Sequence, residues 1–305
     1  MTDLILHHYP MSPFSEKIRA MLGYSDMNWQ SVRVPEMPPR RKLAHLAGGY
    51  RRIPVAQMGA DVFCDTRIIA SEIATLAQRP QLALINLEPE QQDFVRESDL
   101  EVFLACILSA NGKVLFGKLW RDTSTLHVLR FLFDRINMGR KARVSAAGPK
   151  QAKQIVRRQM QRIEAMLQQD FLFGDAPTAA DFAAYHGLWF LRDPGEARYF
   201  AEYSRVSAWM DRIAAFGHGR ATDISIDEAL DIAQSMAPRP LPESSVDQAL
   251  LGATVTVCPD DYGRDPVRGV LRAATAERWI VGREDSRCGS LNLHFPRHGF
   301  VLSAV

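Results

Sequence analysis

The chain reads as multidomain: an α/β unit over residues 1–80, an all-helical unit over 90–236 and a small all-β unit over 246–305. Three observations carry this. From Thr2 to about Arg79 short strand and helix patterns alternate in the order β-α-β, then β-β-α. From Phe94 to Leu167 the apolar residues recur at helical spacing with no strand-like alternation between them. After the proline-rich run Ala237 to Pro242, five short alternating stretches follow one another, separated by Gly, Pro and Asp.

The 305 residues are enough for two or three domains with real cores. Hydrophobic residues make up 47%, charged residues 24%, and the net charge is +2, so neither a disordered nor a fibrous chain is indicated. No basic segment followed by a signal-length apolar run opens the chain, and no apolar stretch approaches the roughly 18 residues that span a bilayer. The expected location is the cytoplasm, with no membrane and no nucleic-acid partner.

Leu4 to His8 forms the first strand, and Ser12 and Ser15 open the first helix, with Ile18, Met21 and Leu22 on its apolar side. A hydroxyl at such a helix start stands among unpaired N–H groups and a positive dipole end, where an anion is stabilised. Trp29 to Val34 has the alternation of a second strand. Ile53-Pro54-Val55-Ala56-Gln57-Met58 reads as a third, beginning at a proline, because proline is tolerated at a strand's start. Gly59-Ala60 turns the chain into Asp61 to Cys64, and Asp65-Thr66 cap a helix from Arg67 to Ala77.

This order, and three motifs within it, resembles the thioredoxin-like N-terminal domain of glutathione S-transferases. Ser12-Pro13-Phe14-Ser15, followed by Lys17 and Arg19, looks like the family's active-site turn. Arg52-Ile53-Pro54-Val55 looks like its Lys-Val-Pro segment with a cis proline, and Asp65-Thr66 with Ile68-Ile69 looks like its Glu-Ser pair. Further on, Thr178 and Asp181 form a capping box at the start of an apolar helix, similar to the one that opens the central helix of the family's second domain. The resemblance runs over about residues 1–220.

The helical unit shows apolar spacing at Phe94 to Leu108, Val128 to Ile136 and Ile155 to Leu167. Between Lys118 and Arg162 twelve Lys and Arg stand against Asp122 and Asp134, a run read as a solvated helical face. Ile224 to Met236 has the pattern of one more amphipathic helix. In the last unit Ala253–Val257, Val267–Ala273, Arg278–Val281, Ser290–His294 and Gly299–Leu302 suggest a small antiparallel barrel or sandwich. Cys64, Cys106, Cys258 and Cys288 form no Cys-x-x-Cys pair, and Cys258, Cys288, His294 and His298 match no standard zinc module. No metal is expected.

The resemblance implies an enzyme with glutathione as co-substrate, in which Ser12 favours the thiolate that attacks an apolar electrophile. Ser15 and Tyr9 are the alternatives at that position. A serine there supplies no sulfur for a protein-bound mixed disulfide. Ile53, ahead of the cis Pro54, would meet the cysteinyl backbone; Asp65 and Thr66 would take the γ-glutamyl end; Arg52, or else Arg51, would pair the glycine carboxylate. The family's habit is a homodimer. The competing reading is a non-catalytic scaffold of the same fold that binds a partner through its β unit.

Overall fold

The computed structural model describes residues 3–110, 148–197 and 199–305. The N-terminal segment runs β1 (Leu4–His8), α1 (Pro13–Tyr24), β2 (Asn28–Arg33), α2 (Arg41–Ala47), β3 (Val55–Met58), β4 (Asp61–Cys64) and α3 (Thr66–Leu76). Each boundary has a local cause. Ser12 caps α1 by accepting the Ser15 N–H at 3.2 Å, and Pro13 at the first helical position has no N–H to leave unpaired. Gly59 turns β3 into β4 at a φ of 60°, with the Met236 sulfur 3.0 Å from where a Cβ would stand.

The helical segment holds α4 (Pro89–Glu97), which continues through the wider turn Ser98–Val102 into α5 (Phe103–Ser109). Then come α6 (Pro149–Met166), α7 (Ala179–Arg192) and α8 (Ser204–Ala215). On α6, Ala152, Val156, Met160 and Ile163 face inward at helical spacing, while Lys150, Lys153, Arg157 and Arg158 are exposed. Arg162 is exposed too, while the basic residues from Lys118 to Arg143 and the expected Val128–Ile136 helix lie outside the described residues. Thr178 and Asp181 make the capping box at α7, and Asp181 does more: buried, it also accepts the Leu172 N–H at 2.9 Å and the Trp209 indole N–H at 3.0 Å. One carboxylate thereby joins α7 to the preceding loop and to α8.

The last segment is β5 (Arg220–Asp223), α9 (Ile226–Ser235), β6 (Thr254–Pro259), β7 (Val267–Ala274), β8 (Arg278–Asp285), β9 (Gly289–Pro296) and β10 (Phe300–Ala304). The five C-terminal strands are antiparallel to one another, as their alternation predicts. They form the expected additional β unit, an open sheet that joins β4 edge-on. Among the described residues the strands make one ten-stranded sheet in the order β10-β6-β7-β8-β9-β4-β3-β1-β2-β5, with β9 parallel to β4.

The join has a physical reason. β4 is buried along its whole length and β9 over its last six residues, the profile of central strands covered on both faces. On one face Val62, Cys64, Val281, Leu293 and Phe295 pack with Leu43 and Leu46 of α2 and with Ala229, Leu230 and Ala233 of α9. This core layer spans both segments without a break. The other face of the N-terminal sheet packs Leu4, Leu6 and Phe63 against α1, α3 and the helical segment.

Candidate active site

The pairings His7 with Val55 and Val55 with Cys64 set three stretches at one end of the sheet: the turn after β1, the residues before β3 and the start of α3. These hold every site residue expected from the sequence. Ser12 is almost fully buried, and its Oγ accepts the Ser15 amide, so the hydroxyl hydrogen is left to donate elsewhere. Ser15 is fully buried, and its Oγ has no hydrogen-bond partner among the described residues. Tyr9 packs against the core shared with the C-terminal strands, and its carbonyl accepts the Ser12 N–H at 3.2 Å.

Arg19 holds this turn in shape, a role its place in the motif does not disclose. Buried in α1, it donates to the carbonyls of Tyr9 at 3.3 Å and Pro10 at 2.9 Å, and to the Glu16 carboxylate at 2.6 Å. It also donates to His8 Nδ1 at 3.0 Å, so His8 is the tautomer with its proton on Nε2, facing the Ser31 Oγ at 3.0 Å. Burial and then the Arg19 charge lower the His8 pKa to about 4. Burial works to raise the Glu16 pKa, but the His218 hydrogen bond and Arg19 hold it below the usual carboxylate range.

Phe14 and Lys17 dock the turn onto the helical segment. Phe14 lies 4.6 Å from the rings of both Phe103 and His186, and the Lys17 ammonium donates to both oxygens of Asp99 at 2.8 Å. The His186 Nε2 meets the same carboxylate at 3.1 Å. Burial would raise the Asp99 pKa, yet Lys17 and His186 together drive it far below the ordinary carboxylate value.

Across the site the peptide bond between Ile53 and Pro54 is cis. Ile53 sits ahead of the β3 ladder, which begins at Val55. Asp65 and Thr66 are buried at the start of α3, and Asp65 accepts the Arg67 N–H at 3.1 Å. Asp65 also holds a φ of 96° with a ψ of 141°, a region hostile to side chains with a Cβ, of the kind retained where local geometry serves a ligand.

Residues that sequence reading did not associate with the site come from the C-terminal sheet. Its β6–β7 loop puts Asp261 and Tyr262 on Arg52: the guanidinium donates to the Asp261 carboxylate and the Tyr262 carbonyl, and the Tyr262 ring lies 4.1 Å from its central carbon. Arg52 also faces Asp65 at 3.7 Å, and Arg51 faces Asp265 at 3.7 Å. The β9–β10 turn brings the His298 carbonyl to Arg67, whose guanidinium stands 3.4 Å from Asp65. Three arginines thus meet three aspartates, two of them supplied by the β6–β7 loop. The sequence Asp260-Asp261-Tyr262-Gly263 carries ordinary turn composition, so only its charge complement to Arg51-Arg52 pointed there.

Family models for the glutathione S-transferase N-terminal domain and C-terminal domain match residues 6–81 and 128–216. A GST-like protein from Pseudomonas syringae is 34% identical, with the match covering all of both chains and a TM-score of 0.79. The chain belongs to the glutathione S-transferase family. Other solved structures align at lower identity: FzlA from C. crescentus at 22%, covering 70% of this chain and 88% of that one (TM-score 0.47), and a glutathione transferase homologue from Sulfitobacter with bound glutathione at 16%, covering 70% and 94% (TM-score 0.45). No curated protein matches the sequence. The Pseudomonas syringae match includes the C-terminal sheet, so that sheet is an element this chain shares with it.

Burial raises the thiol pKa of Cys64 well above normal and that of Cys106 to about 12, which keeps both protonated and unreactive. Among the described residues no cluster of three or more His, Cys, Asp or Glu could hold a metal ion, and no helix is long and apolar enough to cross a membrane. A cavity of about 530 Å³ lies apart from the candidate site, where β4 meets β9, lined in part by Asp61, Arg239, Leu241, Arg278 and His294. Its charges are paired among themselves and with Glu72.

Proposed function

We propose that this protein is a glutathione S-transferase-like enzyme that activates the glutathione thiolate for attack on an apolar electrophile. The observation that carries the reading is the Ser12 hydroxyl, buried at the N-cap of α1 and polarised by the Ser15 amide, with its hydrogen free to donate. A thiol has a reference pKa of about 8.5, and each unit by which donors lower it takes about 1.4 kcal/mol of preferential binding to the thiolate. Ser12 and the positive end of α1 favour that form. Ile53 presents backbone groups to the cysteinyl residue in strand fashion, and Asp65 and Thr66 receive the amine and carboxylate of the γ-glutamyl end. The working assembly in this reading is a cytoplasmic homodimer, and mass measurement in solution tests the dimer.

A second reading has its own support. The β6–β7 loop sits on Arg52, a contact expected of a member that keeps the fold and works as a binding scaffold through its C-terminal sheet. Retention on immobilised glutathione and a thermal shift with free glutathione separate the two. Conjugation of glutathione to 1-chloro-2,4-dinitrobenzene, in which the thiolate adds to the ring carbon and chloride leaves, reports turnover. Retention, shift and turnover support the enzyme; no retention and no shift overturn it.

A further inference from the structure

The cavity where β4 meets β9 has no part in the reaction proposed above. At about 530 Å³ it falls within the roughly 300–1,000 Å³ of small-molecule sites. Its floor is the sheet, where Ile280 of β8 and Asn292 of β9 line it, each 2% exposed. Its rim is the proline-rich linker, where Pro240, Leu241 and Pro242 are exposed. Apolar walls above a polar group on the floor suit a ligand with one polar end.

Asn292 is that polar group. Its Oδ1 accepts from Arg272 at 3.1 Å, a contact that Gly282 allows, because Arg272 crosses β8 over the place a Gly282 Cβ would occupy. A guanidinium only donates, so this bond fixes which end of the amide is oxygen and leaves the Nδ2 end turned from Arg272. The two Nδ2 hydrogens find no acceptor among the described residues. A buried donor left unpaired is costly, and a ligand acceptor in the cavity removes that cost.

The surrounding charges decide what kind of acceptor fits. Arg239 is held by Asp61 at 3.5 Å and Glu72 at 3.1 Å, and Arg278 by Glu277 at 2.9 Å and by Glu72. A ligand carboxylate would compete with Glu72 and Glu277 for these arginines. It would also meet Asp61, the register partner of Asn292 across the β4–β9 join. A carbonyl oxygen accepts the same hydrogen bond and brings no charge.

We propose that this cavity binds a neutral molecule with an amide-type carbonyl on an apolar body, the carbonyl oxygen on Asn292 Nδ2 and the body against Ile280 and Leu241. The proposal does not depend on the glutathione reading.

The test titrates the ¹⁵N-labelled full chain with three probes of similar shape, benzamide, benzoate and benzylammonium, and follows the Asn292 side-chain amide signal, assigned from its loss in Asn292→Asp. Benzamide is expected to bind with a dissociation constant of about 1 mM, to shift that signal, and to bind about tenfold more tightly than either charged probe. Asn292→Asp keeps an acceptor for Arg272 and removes the donors, and Leu241→Trp fills the exposed mouth without touching the sheet. Each is expected to weaken benzamide about tenfold or more. A charged probe binding as tightly as benzamide overturns the proposal, and so does the absence of saturable benzamide binding. Benzamide binding that leaves the Asn292 signal in place, or that persists undiminished in the folded Leu241→Trp variant, overturns it as well.

Discussion

His294 of β9 hydrogen-bonds Asp61 of β4, Nε2 to Oδ1 at 2.7 Å, across the join between the N-terminal sheet and the C-terminal strands. The two residues are 4% and 1% exposed. Burial pushes the Asp61 pKa up, but His294 and the Arg239 backbone N–H bring it below normal, while burial keeps the imidazole neutral with its Nε2 proton directed at the carboxylate. The Oδ2 of Asp61 receives that Arg239 N–H at 2.8 Å, so one buried carboxylate ties β4, β9 and the proline-rich linker together.

Asp61→Ala leaves a buried imidazole and a linker amide without their acceptor. The expected cost is about 2–4 kcal/mol, read as a lower urea midpoint, with Asp61→Asn costing less. A midpoint unchanged by the alanine would show the join to be held by the strand ladder and apolar packing alone.

Truncation after residue 240 is expected to give aggregated or unfolded protein. It strips the β4 edge of its partner and uncovers Val62, Cys64 and the α2 and α9 side chains that pack on Val281, Leu293 and Phe295. A soluble, cooperatively unfolding fragment would show that residues 1–240 form a self-sufficient core.

Arg19→Ala is expected to destabilise the fold by about 3–5 kcal/mol, because among the described residues it leaves His218 as the remaining side-chain partner of buried Glu16 and takes the guanidinium from the Pro10 carbonyl. Calorimetric unfolding measures this. Arg19→Lys should recover part of the loss, since a lysine restores the charge and not the fork.

Ser12→Ala is expected to lower conjugation about ten- to a hundredfold with the fold intact, and to raise the bound thiol's pKa by one to two units in ultraviolet titration of the thiolate. Ser12→Cys should introduce thiol transfer through a mixed disulfide. Unchanged kinetics in the alanine variant would transfer the activating role to Tyr9 or to backbone donors.

Stability is expected to fall as pH drops from about 6.5 to about 4. His7 is fully buried, and burial, against its Gln57 hydrogen bond, lowers its pKa to about 4. In that window the unfolded chain binds a proton at this residue that the folded chain does not, so the slope of unfolding free energy with pH is positive. His7 alone accounts for about 3 kcal/mol by the acid end. His7→Gln should flatten the profile between these limits. Asp99 acts lower down: its pKa is depressed, so the stability it contributes is complete above about pH 4 and is lost only in stronger acid.

Much of the N-terminal half was legible because its signals are local. The cap at Ser12, the strand-opening Pro54, the Gly59 turn and the Thr178–Asp181 box each act over two to four residues, so they appear in the sequence in the order in which they appear in space. β6 was visible for the same reason, since its burial alternates with period two, a property of the strand itself. Strand alternation carries no record of which edge a strand will join. β9 meets β4 across more than 200 residues of chain, and the inward faces of both read the same in a barrel, a sandwich or an extended sheet.

By itself the sequence determined the order of the elements, the helix starts and the residue types gathered at the site: a hydroxyl at a helix N-terminus, a proline before a strand, and an aspartate and threonine at a second helix start. The tertiary structure alone decided that the C-terminal strands extend the N-terminal sheet and that their β6–β7 loop sets Asp261 and Tyr262 on Arg52. The difference lies in range. Caps and turns are chosen by energies between near neighbours, whereas the β4–β9 join and the Arg52–Asp261 pair exist only after a shared core has brought distant segments together.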